Sequence, residues 1–491
     1  MIDADDEARR LQAEITNFEG REEIHRHGPL FHWRLSRVLR PALLRAFGHY
    51  DIYAVYAEAI AGAVLRTGLD TVLSLGCGDG VQEIRILRRA EELGLPAFRI
   101  IGFELAPGVV ARANALADAE GLRHRFEARA CDLNARLPHE ERVAAVMAHH
   151  ALHHLVGLER LFDSLLARLP SEGILVTFDM IGRNGHRRWP EVQDFLDKVW
   201  ALLPEERRYD HLFRRATPAF EDWDCAIDGF EGVRAQDILP LLAQGFIPER
   251  FIAWGAFTEL FTSARFGPNF DLTQDEDLAF LEGMIGLEQR FLAERRTTPT
   301  EMAAIFRPRS SAMVPDATTA EAFQRAIRLP GEVFPELPLE PFVSPYPPVV
   351  PIEIPCFGIG TRIAPVAGSH AARALWQGWS EPESHGAWAL LDRQRLRFAT
   401  EAPARTVALR IWNPLPSARG ARITATAVGC APADSGPLEQ GELRELTLRA
   451  EHPRSVWEIE LHSAAYRLPY LDGGPDKRPL AYRLVDVLPE A

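Results

Sequence analysis

Two hydrophobic spacings divide the chain. Between residues 71 and 178, short apolar runs alternate with longer stretches of helical period. The runs are Thr-Val-Leu-Ser-Leu at 71–75, Arg-Ile-Ile-Gly-Phe at 99–103, Val-Ala-Ala-Val-Met at 143–147 and Gly-Ile-Leu-Val-Thr-Phe at 173–178. Each is too short for a helix and nearly free of polar positions, which predicts strands buried on both faces. The stretches 81–93, 107–120 and 158–169 carry the three-to-four spacing of helices, and a further strand is expected just before Asp132. Repeated strand–helix–strand units predict a mostly parallel, doubly wound α/β sheet covered on both faces. Right-handed crossovers then place ligands at the carboxyl ends of the strands.

From about residue 358 the period changes to two. The runs 395–398, 407–412, 421–428, 443–448 and 456–461 alternate apolar and polar residues between turn signals. They predict antiparallel strands of an all-β sandwich. Nine prolines lie between the two patterns: Pro330, Pro335, Pro338, Pro341, Pro345, Pro347, Pro348, Pro351 and Pro355. Fixed φ and missing donors make 328–357 an extended, stiff linker.

Composition narrows the function classes. The 491 residues hold 69 acidic and 55 basic side chains, a formal charge of −14. That sign repels phosphate backbones, so no nucleic-acid partner is expected. Five scattered cysteines, Cys77, Cys131, Cys225, Cys356 and Cys430, form no CxxC pair. Neither a zinc knuckle nor a disulfide framework is expected, and a reducing cytoplasm fits best. The acidic amino terminus is no secretory signal, and no apolar run is long enough to span a membrane.

The sharpest chemistry lies in Leu-Ser-Leu-Gly-Cys-Gly-Asp-Gly at 73–80. Glycines after a strand permit a tight turn and close approach of a ligand to the main chain. The helix beyond offers free N–H groups to an anion. A dinucleotide loop of the G-x-G-x-x-G kind would need glycine at position 81, which is Val81. Leu75, Gly76, Cys77, Gly78, Asp79 and Gly80 instead resemble motif I of the class I S-adenosylmethionine-dependent methyltransferases. The resemblance implies a Rossmann-like sheet and S-adenosylmethionine as cofactor. It implies that Glu104, ending the second strand, takes the ribose hydroxyls beside Leu105. Asp132 would take the adenine amino group, with the Leu133 backbone against the ring. For either carboxylate the plainer reading is a strand end or helix cap.

The segment Ala-His-His-Ala-Leu-His-His-Leu at 148–155 is similar to the stretch after strand four in many of these enzymes. A hydroxyl acceptor needs a base as its proton leaves, and histidine serves near neutral pH. His154 and His150 rank first for that role. His149 is expected at the strand end, against both cofactor and acceptor, and Asp179 at the end of strand five to orient a histidine or the acceptor. Helix capping or packing is the plain alternative for each. Four histidines within six positions also raise a metal site. Paired as His-His and His-His they do not place three imidazoles on one side, so no metal is expected.

Residues 178–190, 231–242 and 266–270 resemble a bacterial subgroup of the family that tends to occur with glycosyltransferases of surface-polysaccharide assembly. Where that subgroup often has Glu-Tyr, this chain has Asp179 and Met180. A carbohydrate or glycan-precursor hydroxyl is therefore the expected acceptor, with glycosyltransferase machinery as a possible partner. The alternatives are small-molecule O- or N-methylation in secondary metabolism and a non-catalytic scaffold. The expected organisation is a helical cap at 1–50, a methyltransferase domain at 51–315 with a lid insertion at 182–247, the linker at 328–357 and the sandwich at 358–491. In the last region, Gly-Trp-Ser-Glu-Pro-Glu-Ser-His-Gly-Ala-Trp at 378–388 resembles a motif that opens β-sandwich modules linked to glycan synthesis. Trp379 and Trp388 there either stack on sugars or close the core.

Overall fold

The computed structural model describes residues 4–19, 28–227, 229–348, 354–390, 393–413, 421–463 and 480–491. Parts of the expected amino-terminal cap (20–27) and of the proline-rich stretch (349–353, with Pro351) lie outside the described residues. The chain forms two compact units, one of Met1–Phe195, Asp222–Ser263 and Ala279–Phe342, the other of Leu196–Glu221, Ala264–Leu278 and Val343–Ala491.

The first unit is built on five parallel strands: β1 (Thr71–Leu75), β2 (Arg99–Glu104), β3 (Phe126–Ala130), β4 (Ala145–His149) and β5 (Ile174–Met180). The short ribbon of β6 (Tyr209–Asp210) and β7 (Arg215–Ala216) belongs to the second unit. Two further strands, β8 (Phe246–Trp254) and β9 (Glu301–Pro308), complete the large sheet in the order β3-β2-β1-β4-β5-β9-β8. β9 runs antiparallel to both of its neighbours. Alternate residues of each central strand feed opposite faces. Val72, Ile100, Ala145, Met147 and Val176 join one core, while Leu73, Leu75, Ile101, Val146 and Leu175 join the other. This two-sided burial is why these strands read as unbroken apolar runs. Each fully buried aliphatic side chain contributes about 1.5–3 kcal/mol.

The helices cover those faces by their spacing. Helix Val81–Glu92 buries Ile84, Leu87 and Ala90 in the first core. Helix Leu158–Arg168 buries Leu158, Leu161, Phe162 and Leu165 in the second, the i, i+3, i+4, i+7 stripe of one helical face. β8 and β9 are not among the strands expected above, although Met-Ala-Ala-Ile-Phe at 302–306 is itself an unbroken apolar run. Every residue of β9 is buried, charged ends included. Arg307 pairs with Glu249 and Glu172 at 2.6 Å each, and Glu301 pairs with buried Arg34.

The second unit carries β10 (Cys356–Phe357), β11 (Leu375–Gln377), β12 (Ala387–Trp388), β13 (Arg393–Trp412), β14 (Ala421–Ala427), β15 (Ala433–Leu438), β16 (Leu443–Ser463) and β17 (Arg483–Glu490). They form one eight-stranded, mostly antiparallel sheet that curls upon itself. The alternating runs 395–398 and 407–412 are two halves of β13, and 443–448 and 456–461 are two halves of β16. Pairing slips where β13 passes 399–406, and the two bends hold Pro403 and Pro453, which remove ladder donors. The inward face buries Phe398, Leu409, Trp457, Ile459 and Leu484.

The 378–388 motif closes that core. Trp379 is wholly buried and donates its indole N–H to the Arg395 carbonyl at 3.0 Å. The Arg483 guanidinium covers the Trp388 ring at 4.4 Å. Neither face is available to stack on a sugar, which corrects that reading of the motif. Gly378 has φ +78°, and a Cβ there would lie 2.2 Å from the Arg393 carbonyl oxygen. Only glycine fits the turn.

Candidate active site

The glycine loop leaves β1 at the carboxyl edge of the sheet. Gly76, Gly78 and Gly80 have φ of +62°, +53° and +78°, each in the left-handed region that glycine adopts freely. The glycines differ in their surroundings. A Cβ on Gly76 would lie 2.8 Å from that of Ala151, and one on Gly80 would lie 2.6 Å from the Phe126 ring. At Gly78 nothing lies within 4 Å. The loop is thus packed at Gly76 and Gly80 and open at Gly78. Buried Cys77 donates its backbone N–H to the Phe103 carbonyl at 3.0 Å. Burial pushes its thiol well above the usual range, with Glu83 and Glu104 adding to the effect, so it is a packing group.

The three expected carboxylates line the ends of β1, β2 and the turn after β3, all half-buried. Glu104 accepts the Gly78 N–H at 3.1 Å and the N–H groups of Leu105 and Ala106 at 2.8 and 3.1 Å. It therefore sits against the open glycine. Asp79 accepts the Val81 N–H at 3.3 Å, at the start of the following helix. Asp132 accepts the Asn134 N–H at 2.8 Å, beside half-buried Leu133. The Asn134 side chain in turn accepts the N–H groups of Val156 and Gly157 at 2.8 and 3.2 Å. The turn expected to hold adenine is thereby tied to the segment that follows the histidines.

β4 ends at His149, and His150 takes a left-handed φ of 51°. The reversal starts a 3₁₀ turn, Leu152–His154. Asp179, buried at the end of β5, builds that turn. It accepts the N–H groups of Ala151 and Leu152 at 3.1 and 2.8 Å, and its other oxygen lies 2.6 Å from His153 Nδ1. Burial opposes the charge of Asp179, but His153 holds the carboxyl down at about 2. Burial likewise opposes charge on His153, yet Asp179 and Glu231 together raise it to about 10.

His149 stacks on Phe178 with ring centroids 5.1 Å apart, and its Nδ1 lies 3.3 Å from the hydroxyl of buried Tyr56. That hydroxyl donates to the Ala148 carbonyl at 2.9 Å. The His150 ring is exposed and meets Phe178 edge-on at 4.7 Å. Crowding by protein, then the charge of His149, holds its imidazole well below the usual histidine range. His154 Nδ1 is 2.7 Å from Glu14 Oε1.

Two further participants come from the segment after β5. His186 Nε2 lies 2.9 Å from Glu231 Oε1. Glu231 also faces His153 Nε2 at 3.3 Å and His154 Nε2 at 3.8 Å. Burial would raise the Glu231 carboxyl, but His154 and the hydrogen bonds from His153 and His186 hold it well below the ordinary range. The structure therefore brings His149, His150, His154 and Asp179 to one edge of the sheet, together with Tyr56, Glu14, His153, His186 and Glu231. The expectation of no metal rests on local spacing alone, and the fold joins these residues to the histidines from positions 14, 186 and 231. A helical stripe of buried apolar residues around Tyr56 gave no sign of its polar tip, and an isolated Glu14 or Glu231 has no spacing signal at all.

Residues 72–173 match the model of a family described as a methyltransferase domain. No curated protein matches the chain. Among solved structures, it is similar to geranyl diphosphate C-methyltransferase from Streptomyces coelicolor, solved with Mg2+, geranyl diphosphate and S-adenosylhomocysteine. That likeness has 16% identity, 60% of this chain, 98% of that one and a TM-score of 0.33. The mitomycin 7-O-methyltransferase MmcR aligns at 17% identity over 56% of this chain and 60% of its own, with a TM-score of 0.27. An O-methyltransferase of a trans-AT polyketide synthase from Brevibacillus brevis, bound to S-adenosylhomocysteine, aligns at 13% identity over 55% of this chain and 76% of its own, with a TM-score of 0.31. No helix among the described residues is long and apolar enough to cross a membrane. The chain carries a class I S-adenosylmethionine-dependent methyltransferase domain, followed by a carboxyl-terminal β-rich region.

Proposed function

We propose that the protein transfers the cofactor's methyl group to a hydroxyl, with His150 taking the proton. The observation that carries this reading is the contact between the two halves of the site. Gly76 of the cofactor loop packs directly on Ala151, the residue after His150. A donor seated over Gly78, Glu104 and Asp132 would bring its sulfonium toward the end of β4. Held there, S-adenosylmethionine would supply an electrophilic methyl, and the acceptor's oxygen–carbon bond would form as the sulfur–carbon bond broke. The hydroxyl proton passes to the His150 imidazole and then to solvent, leaving a methyl ether and S-adenosylhomocysteine. Holding the acceptor in line supplies most of the acceleration.

A carbohydrate or glycan precursor is the acceptor class we favour. It is supported by the resemblance of 178–190, 231–242 and 266–270 to the polysaccharide-associated subgroup. Two of those stretches contain His186 and Glu231, which stand beside the histidine segment.

The test is methyl transfer from labelled S-adenosylmethionine to nucleotide sugars and polysaccharide fragments, with small phenols and amines as competitors. His150→Ala should lower kcat about 100-fold or more and leave S-adenosylhomocysteine affinity within about threefold. An unchanged rate would remove His150 from the mechanism, and methylation of amines alone would overturn the hydroxyl assignment.

A further inference from the structure

Glu231 is ringed by three imidazoles. Its Oε1 lies 2.9 Å from His186 Nε2 and 3.3 Å from His153 Nε2, and its Oε2 lies 3.8 Å from His154 Nε2. Two of these rings are held from behind by a second carboxylate. Asp179 meets His153 Nδ1 at 2.6 Å, and Glu14 meets His154 Nδ1 at 2.7 Å. A carboxylate on Nδ1 accepts that nitrogen's N–H and fixes Nε2 toward the centre, where an incoming metal ion would displace the proton now shared with Glu231. Metal-binding histidines are oriented in this way.

The frame around the cluster is stiff. His153 is 3% exposed. Its turn is clamped by the Asp179 hydrogen bonds to Ala151 and Leu152. The Gly185 N–H donates to the Gly232 carbonyl at 2.8 Å, which sets the residues after and before them, His186 and Glu231, side by side. His186 keeps a left-handed φ of 54° there, a conformation that costs a non-glycine residue energy.

We propose that His153, His186 and Glu231 bind a divalent first-row transition ion of the zinc class. One ligand-type atom from each lies within 4.8 Å of the others. Around a tetrahedral ion with bonds of about 2.0–2.2 Å, neighbouring ligand atoms stand roughly 3.3 Å apart. The His153–Glu231 separation of 3.3 Å matches that value, and the His186–Glu231 separation of 2.9 Å is somewhat shorter. Two imidazoles and a carboxylate suit Zn2+ or Co2+ over Mg2+ and Ca2+, which prefer oxygen-only shells. Three protein ligands leave a fourth position for water or an acceptor oxygen. His154, oriented by Glu14, faces the other side-chain oxygen of Glu231 at 3.8 Å.

The test uses the full chain, stripped with a chelator and titrated with Zn2+ by calorimetry and with Co2+ by its visible d–d absorption. About one equivalent should bind, with a tetrahedral Co2+ spectrum. Glu231→Gln and His186→Ala should each weaken binding at least tenfold while S-adenosylhomocysteine affinity stays within about threefold. If either variant fails to fold, the unaltered chain still decides, because absence of a bound equivalent overturns the site. Unchanged affinity in both folded variants overturns it too. A chain that binds S-adenosylhomocysteine but no Zn2+ loses only the metal site. One that binds Zn2+ but no S-adenosylhomocysteine keeps the metal site and loses the methyl-transfer reading.

Discussion

Three glycines in one loop have three different duties. Gly80 is wedged against Phe126 and Ala113, where a Cβ would approach to 2.6 and 3.2 Å. Gly78 faces open space, yet both keep a positive φ. Gly80→Ala should therefore combine the left-handed penalty of about 1–2 kcal/mol with an overpacking cost of about 1–3 kcal/mol. Gly78→Arg should carry only the first and fill the open side of the loop. Thermal unfolding should fall more for Gly80→Ala, while S-adenosylhomocysteine binding should vanish in Gly78→Arg. The reverse ranking in either measurement would mean that the open side is not the ligand side. Residues of this kind are legible in sequence because glycine spacing is dictated by local backbone geometry. Glu231 and Glu14 are not, since their partners come from 45 or more positions away and no local rule binds them.

At the scale of elements, strand ends are held by buried carboxylates more than by propensity. Asp179 does this after β4. Glu288, from the helix Asp275–Ala293, does it after β8. One of its oxygens accepts the N–H groups of Ala256, Phe257 and Thr258 at 2.8, 2.7 and 2.8 Å, and the other accepts the Thr258 hydroxyl at 2.7 Å. Glu288→Ala would leave three buried donors without an acceptor and open a hole. A loss of about 3–5 kcal/mol is expected, read as a lower denaturant midpoint. A midpoint within error of the parent would show that water replaces the carboxylate freely. The same scale explains what the period-two and apolar patterns recovered. β1, β2, β4 and β5 are apolar because both faces are covered, so their runs announce them. β9 is equally buried and its 302–306 run is as apolar, with Glu301 and Arg307 at its ends satisfied by ion pairs, but it lies beyond the strand–helix–strand rhythm that announces the others. β13 and β16 were legible as alternating halves. Their continuity was not, because Pro403 and Pro453 look like strand ends and act as bends.

At the scale of the whole chain, compactness does not follow sequence order. The segments Leu196–Glu221 and Ala264–Leu278 lie within the span of the α/β half yet belong with Val343–Ala491. Their cohesion is physical. Trp200 packs on Phe220 and Phe266 at 5.5 and 5.0 Å, and Arg265 covers Phe213 at 4.6 Å. The link to the curled sheet runs through Glu221, which is 2% exposed. It accepts the Gly378 N–H at 2.7 Å and pairs with Arg215 at 2.8 Å, while Arg215 also donates to the Leu375 carbonyl at 3.3 Å. Gly378 opens the tryptophan motif that closes the β core, so this carboxylate anchors the turn on which the core depends. Glu221→Ala strands a buried guanidinium and a buried N–H. A loss of about 3–5 kcal/mol is expected for the second unit. Chains beginning at residue 343 lack the anchor altogether and should unfold without a cooperative transition, although they contain every strand of the curled sheet. Calorimetry of both, beside the full chain, tests this. A fragment 343–491 that melts cooperatively at the temperature of the parent would show that the β-rich region is closed without residues 196–221. The proline-rich stretch would then be the true boundary of the unit.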